Sequence, residues 1–172
     1  MYRSKFEAYT FLSDAPDDLR CDFEVLTDEI SSMTGLLRSV VEDKDLQDDL
    51  LFVARLVYHI NPSLRTKVTV TPEELSKLHD MAKELESQAG ETHKQFLLPV
   101  GNHAASLSHV LRAKSKMVVR MLYRHNHQGN AVDDILYDFT NLLSGYFFLL
   151  AIRLNALGGV AEIPFTSRNY KI

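Results

Sequence analysis

The chain has 172 residues, a length that favours one domain able to bury roughly two-thirds of the surface that its unfolded state exposes. Its 19 basic and 23 acidic side chains give a formal charge of -4. This charge excludes the net positive surface with which proteins bind nucleic acid or an anionic membrane. One cysteine, Cys21, excludes an internal disulfide framework and a cysteine-based zinc site. Because no secretory pattern and no run approaching ~20 apolar residues is found, we expect a soluble, cytoplasmic protein without a membrane or nucleic-acid partner.

The first predicted helix follows an irregular N-terminal arm, residues 1–13, which is rich in aromatic side chains. The arm is compatible with a strand-like segment or with an extra helical turn. After Asp14, apolar residues recur at alternating steps of four and three to about residue 43, which predicts a helix with one buried stripe. The stripe consists of Leu19, Phe23, Leu26, Ile30, Met33, Leu37 and Val40. Cys21 lies in this helix and is expected to be buried.

Two further helices are predicted before residue 91. Leu46, Leu50, Val53, Leu56 and Ile60 form the stripe of the second, which Asn61-Pro62 ends. The third begins with a capping box, in which the Thr71 hydroxyl accepts from the third helical amide and Glu74 reaches back to the cap. Gly90 marks its end.

The last two helices follow the non-periodic segment QFLLPVGN. Asn102 is predicted to cap a fourth helix over about residues 103–124, which ends in the segment HNHQGN. The fifth, over about residues 132–157, is apolar around most of its circumference and ends at Gly158-Gly159. Five helices without a convincing strand predict an all-α antiparallel bundle, one domain spanning residues 1–172. The surplus apolar surface of the fifth helix predicts a subunit interface.

Several catalytic chemistries are not supported by the motifs. A di-iron bundle needs Glu-x-x-His on two helices, and neither copy exists. His125 and His127 are expected in a loop and solvated, so we predict no metal held by the protein. Nucleophile-elbow, Walker and Rossmann glycine patterns are absent. Any phosphate must therefore be held by side chains or helix N-termini.

Four cations recur every four residues along the fourth helix, and we call them the cation column. The column consists of Arg112, Lys116, Arg120 and Arg124. Spacing alone favours a solvated face or ion pairs with Asp134 and Asp138 of the next helix. The alternative is an anion site, supported by small apolar residues elsewhere on this helix and by the preceding loop with Phe96 and Pro99.

Four ordered matches resemble the ATP:cob(I)alamin adenosyltransferases of the propanediol-utilisation type. FLLPVGNHAASLSHVLRAKSKMVVR, residues 96–120, is similar to the family's F-(I/V)-L-P-G-G followed by H-x-A-R-T-x-x-R-R-A-E-R. DDLRCDFEVLTDEISSMTG, residues 17–35, resembles D-D-L-R-V-x-A-x-G-x-V-D-E-L-N-S-x-x-G. LQDDLLFVARLV and NLLSGYFFLLAIRLNALGGVAEIPF complete the series.

This resemblance implies a homotrimer of five-helix bundles of ferritin-like topology, which moves the 5′-adenosyl group of ATP to the cobalt of a reduced corrinoid, cobalamin, with Mg²⁺. ATP is expected between subunits. By position, Phe96 helps to displace the lower ligand of the corrinoid, and Asp28 and Arg112 form a pair across the interface. Lys116 and Arg120 face the triphosphate, and Asn141 lies near the nucleotide.

The departures from the family pattern fall at the nucleotide end. The family has a glycine-rich phosphate loop before the position of Asp17, whereas residues 1–16 contain no glycine. Glycines let backbone amides approach phosphate closely, so that loop cannot form here. Lys116 and Met117 replace arginines, and Val119 replaces a glutamate. Three hypotheses stay open: an adenosyltransferase with altered nucleotide handling, a non-catalytic corrinoid- or nucleotide-binding homologue for storage, delivery or sensing, and a structural trimeric bundle.

Overall fold

The computed structural model describes residues 2–169, and within that range five α-helices carry the fold. They are α1 (Leu19–Val40), α2 (Lys44–Ile60), α3 (Pro72–Ala89), α4 (His103–His127) and α5 (Asp134–Leu157). Short 3-10 turns occupy Thr10–Ser13 and Gly90–Lys94. The predicted all-α five-helix bundle is confirmed.

The helix N-termini are set by side-chain caps. The predicted capping box is present, because Glu74 N donates to the Thr71 hydroxyl at 3.3 Å and Thr71 N donates to the Glu74 carboxylate at 2.9 Å. The predicted cap at Asn102 is also present, since its side chain accepts from Ala105 N at 2.9 Å. Caps of this kind satisfy amides that have no partner inside the helix.

Two predicted helix ends were wrong. α1 ends at Val40 rather than near residue 43, because the Asp43 carboxylate accepts from Asp45 N and Leu46 N and caps α2 instead. α4 continues to His127, so His125 lies in its last turn and not in a loop. His127 is exposed as expected, but His125 is buried.

The helices pack with α5 between α3 and α4, while α1 contacts α2 and α4. The start of α1 meets the end of α4, where Gln128 Nε2 donates to Asp17 O at 3.0 Å, so these two helices are antiparallel. Phe23, Phe139, Tyr146 and Phe147 are fully buried at the centre. Cys21 is buried as predicted, and burial raises the pKa of its thiol.

α5 is long and apolar enough, by length and composition, to span a bilayer, contrary to the sequence expectation. However, 56% of its apolar window is buried within the structure, which is typical of a core helix. Among the described residues of α5, Leu157 alone is an exposed large apolar side chain. The surplus apolar surface predicted to face another subunit is therefore mostly covered by α3 and α4.

The N-terminal arm is attached to the bundle through Arg65, which follows α2. The Arg65 guanidinium donates to Glu24 at 2.8 Å and to Asp14 at 2.8 Å, and it lies 3.6 Å from the centre of the Phe11 ring. The Tyr9 hydroxyl donates to Glu24 at 2.5 Å. Burial and this hydrogen bond raise the pKa of Tyr9 to about 12. Residues 9–14 are thus fixed on α1 of their own chain.

Candidate corrinoid and nucleotide site

The loop before α4 pairs with a segment from the C-terminus. Leu98 N donates to Ile163 O at 2.9 Å, and Phe165 N donates to Phe96 O at 2.7 Å. We call residues 95–101 the Phe96 loop and residues 160–165 the C-terminal segment. The Phe96 and Phe165 rings lie 5.6 Å apart between centroids, and Phe96 is 61% exposed. A backbone ladder therefore presents an aromatic pair at the surface.

A cavity of about 280 Å³ joins this aromatic pair to the beginning of the cation column. Its wall includes Phe96, Phe165, Arg112 and Phe148. The Arg112 guanidinium lies 5.6 Å from the centre of the Phe148 ring, within the range of a cation–π contact. Its Nε is buried and has no hydrogen-bond partner among the described residues. Burial lowers the pKa of Arg112, but arginine stays charged at neutral pH.

His109 lies one turn before Arg112 and is buried. Neither of its ring nitrogens has a hydrogen-bond partner within residues 2–169. Burial, with a smaller contribution from the charge of Arg112, lowers the pKa of His109 to about 4. The imidazole is therefore neutral at pH 7.

The other members of the column, Lys116, Arg120 and Arg124, are exposed on α4. None of them forms an ion pair or hydrogen bond within the described part of the chain. Of the two possibilities that spacing alone favours, pairing with Asp134 and Asp138 is therefore wrong, and a solvated face is what a single chain shows. By contrast, Lys114 on the side of α4 nearer α1 bonds Glu29 at 2.7 Å. The column is free to receive an external anion.

Asp28 and Asn141 lie apart from this cavity within one chain. Asp28 is exposed on α1, and no described contact joins it to Arg112. Asn141 Nδ2 donates to Tyr137 O at 2.9 Å. The same residue lines a groove of about 420 Å³ between α3 and α5. The structure thus brings Phe96 and Arg112 together and leaves Asp28 and Asn141 on other faces.

The family profile of cobalamin adenosyltransferases matches residues 15–154. The chain belongs to this family. The corrinoid adenosyltransferase of Bacillus subtilis (strain 168) is 26% identical over 158 residues, which are 87% of this chain and 81% of that protein. The matched range contains the cation column but not the arm, so family membership rests on the bundle.

Solved structures of a PduO-type ATP:corrinoid adenosyltransferase from Lactobacillus reuteri share the fold. One, a variant with cobalamin and ATP, superposes with a TM-score of 0.78 at 19% identity, covering 94% of this chain and 100% of that chain. Another, an arginine-to-lysine variant with ATP, gives 0.76 at 22% identity, covering 87% and 88%.

Two aromatic residues that line the candidate cavity of this adenosyltransferase, Phe148 and Phe165, are not predicted from the sequence. Phe148 is one of many apolar residues of α5, and the sequence indicates only that it belongs to the bundle. Phe165 lies beyond the last helix, where no periodicity operates. Its contact with Phe96 depends on pairing between segments about 65 residues apart, which local patterns do not report.

Proposed function

We propose that this enzyme uses the Phe96 cavity and the cation column to transfer the 5′-adenosyl group of ATP to reduced cobalamin. The observation that carries the proposal is that an exposed aromatic pair and an unpaired row of cations meet at Arg112. Family membership makes the chain a transferase of this chemistry. The geometry supplies an apolar end for a corrinoid and a cationic end for a polyphosphate.

The reaction requires little covalent chemistry from the protein, because cobalt(I) is itself the nucleophile. The cobalt(I) electron pair forms the cobalt–carbon bond to C5′, the C5′–oxygen bond breaks, and triphosphate leaves with its electron pair. The chain must bring the two substrates together and stabilise the charge on the leaving group. Exposed cations at Lys116 and Arg120 are suited to the second task.

Each predicted site residue then has a role. Phe96 occupies the side of the corrinoid from which the lower ligand must leave, which makes the cobalt easier to reduce. Arg112 pairs with Asp28 of an adjacent subunit through the terminal nitrogens of its guanidinium, since its Nε is enclosed by its own chain. Asn141 contacts the nucleotide from a neighbouring chain. These roles require a second chain, since one chain does not assemble all the groups, and the proposed assembly is a homotrimer.

Mg²⁺ is proposed to enter bound to ATP. Within residues 2–169, no three His, Cys, Asp or Glu side chains come together to hold a metal, whereas triphosphate oxygens are ligands that Mg²⁺ prefers. The cytoplasm, which keeps thiols such as Cys21 reduced, is the proposed location.

A second candidate is a homologue that binds corrinoid without catalysis. The comparisons do not favour this candidate. Its support is that residues 1–16 contain no glycine and that the arm contacts to Arg65 fix residues 9–14 on their own chain. Residues 2–16 thus offer no glycine-rich phosphate-binding loop, while the aromatic cavity is present.

Purified protein mixed with MgATP and chemically reduced cobalamin separates the two candidates. The enzyme is expected to give the absorption spectrum of the cobalt–carbon product and one triphosphate per product. Phe96→Ala should slow product formation about a hundredfold, as expected for loss of a group used in the transition state. Corrinoid binding without any product would support the second candidate and contradict the first.

A further inference from the structure

Asn155, in the last turn of α5, is fully buried and uses its whole side-chain amide. Its Oδ1 accepts from Asn102 N at 3.0 Å. Its Nδ2 donates to Val100 O at 3.2 Å and to Glu162 Oε1 at 2.8 Å. Its own backbone oxygen accepts from Val160 N at 2.8 Å. One residue therefore bonds to α4's cap, to the Phe96 loop and to the C-terminal segment.

These bonds lie where the two paired segments approach each other. The Phe96 loop leaves the ladder at Val100, and the C-terminal segment enters it from Val160 and Glu162. Because Asn155 fixes both segments at this end, it determines how the Leu98–Ile163 and Phe165–Phe96 hydrogen bonds align. The orientation of the exposed aromatic pair follows from that alignment.

The packing around the amide leaves no room for adjustment. A Cβ at Gly101 would overlap the Asn155 amide, so glycine is required for the loop to approach α5 this closely. Asn102 Nδ2 donates to Leu154 O at 2.7 Å, which adds a second bond between the same two segments. A buried amide with all its partners present holds one geometry, because any shift leaves a polar group unsatisfied.

We propose that Asn155 and Glu162 are positioning residues, which set the orientation of Phe96 and Phe165 toward the corrinoid. This inference rests on the proposed function for the consequence in catalysis, but the geometric part stands on the hydrogen bonds alone. Neither residue touches the cavity wall, so their effect passes through the backbone of the two segments.

The donor and acceptor pattern permits a rescue experiment. Asn155→Asp keeps the acceptor for Asn102 N but places a carboxylate against Glu162 and Val100 O. Adding Glu162→Gln supplies a donor to the new carboxylate and restores that bond with its direction reversed. Thr140→Val is the matched control, because Thr140 is equally buried on α5 and its hydroxyl bonds only Leu136 O and Tyr137 O inside the helix.

Amide hydrogen exchange of the unliganded protein tests the geometry. Exchange at Leu98 and Phe165 is expected to be at least about tenfold faster in Asn155→Asp than in Thr140→Val, because the two hydrogen bonds donated by the buried amide are lost. The double variant should recover part of the protection, because it restores the bond with residue 162 but not the bond to Val100 O. Equal exchange in Asn155→Asp and Thr140→Val, or no recovery in the double variant, overturns the inference.

Steady-state kinetics test the consequence. Asn155→Asp should lower kcat/KM for cobalamin about tenfold and leave KM for ATP unchanged, whereas Thr140→Val should change neither. An equal rise in both KM values would contradict a role confined to Phe96. If Asn155→Asp fails to fold, the same measurements are made on Glu162→Ala, which removes only one hydrogen bond at a half-buried position. Failure of wild type to make product contradicts the proposed function, while the exchange result still decides the geometry.

Discussion

Lys116 carries its charge on an ammonium where the family pattern has a guanidinium. A guanidinium presents a planar pair of donors that matches two phosphate oxygens at once, whereas an ammonium acts as a point charge. Lys116 is exposed and unpaired, so an arginine there would not have to break an existing contact. In the proposed role of Lys116, an arginine at this position would therefore bind the triphosphate more tightly than the lysine does.

Lys116→Arg is expected to lower KM for ATP about fivefold, the effect of adding one charge-assisted hydrogen bond of ~1 kcal/mol. Initial rates at saturating cobalamin measure it. Lys114→Arg is the matched control, because Lys114 lies on the same helix but pairs with Glu29. If both variants change KM for ATP equally, Lys116 does not face the triphosphate.

The neutral, buried imidazole of His109 makes folding stability depend on pH. Its pKa is about 4 in the folded chain and 6.5 in the unfolded chain. As pH falls below 6.5 the unfolded state takes up a proton that the folded state does not, so unfolding becomes easier. The contribution of neutral His109 to the free energy of unfolding is up to about 3 kcal/mol. It is fully present above pH 6.5 and is lost as the pH falls to 4.

His109→Gln is therefore expected to flatten the fall in the free energy of unfolding between pH 6.5 and pH 4, measured by urea titration at several pH values. His127→Gln, on the same helix at an exposed position, should leave the slope of wild type unchanged. A slope in His109→Gln as steep as in wild type would show that another group takes up the proton.

At the scale of the elements, the Arg65 contacts explain why the arm lies where it does. Glu24 is almost fully buried and receives two bonds from Arg65 at 2.8 and 3.0 Å. Removing the guanidinium leaves a buried carboxylate without its cation, a change that costs more than the loss of an exposed ion pair. The arm therefore depends on one side chain between α2 and α3.

Arg65→Met should destabilise the fold by about 3 kcal/mol and make residues 1–14 susceptible to limited proteolysis. Thermal unfolding and mass spectrometry of the cleaved products measure the two effects. Arg20→Met, which breaks a more exposed pair with Asp18, should cause little change in either. Protection of the arm in Arg65→Met would mean that Tyr9 or other contacts hold it.

The elements that the sequence predicts well are those determined within a few residues. The capping box at Thr71 and the cap at Asn102 were predicted because their partners lie three residues away. The end of α1 was missed because Asp43 has two possible roles, and only packing selects the cap of α2. Phe96 and Arg112 were found through motifs, whereas Phe165 joined them through a backbone ladder that no short pattern encodes.

At the scale of the whole molecule, α1 and α4 present exposed apolar side chains beside predicted site residues. Val25 and Leu36 are 51% and 50% exposed on α1, and Val110 and Met117 are 43% and 54% exposed on α4. Exposed apolar groups on neighbouring helices favour contact with another chain. Asp28 lies on α1 among them, so an interface here would bring its carboxylate to a second chain's column.

Mixing two variants tests whether Asp28 and Arg112 pair between subunits. Asp28→Asn and Arg112→Gln are each expected to lose most activity. In a mixed trimer, an interface that takes Asp28 from one variant and Arg112 from the other is intact, so random assembly of equal amounts restores roughly a quarter of wild-type activity. Arg112→Gln mixed with Phe96→Ala is the control and should restore nothing, because both residues line one cavity of the same chain. Native mass spectrometry verifies that mixed oligomers form. If the mixed trimers are as inactive as the two parent variants, Asp28 and Arg112 do not pair between subunits.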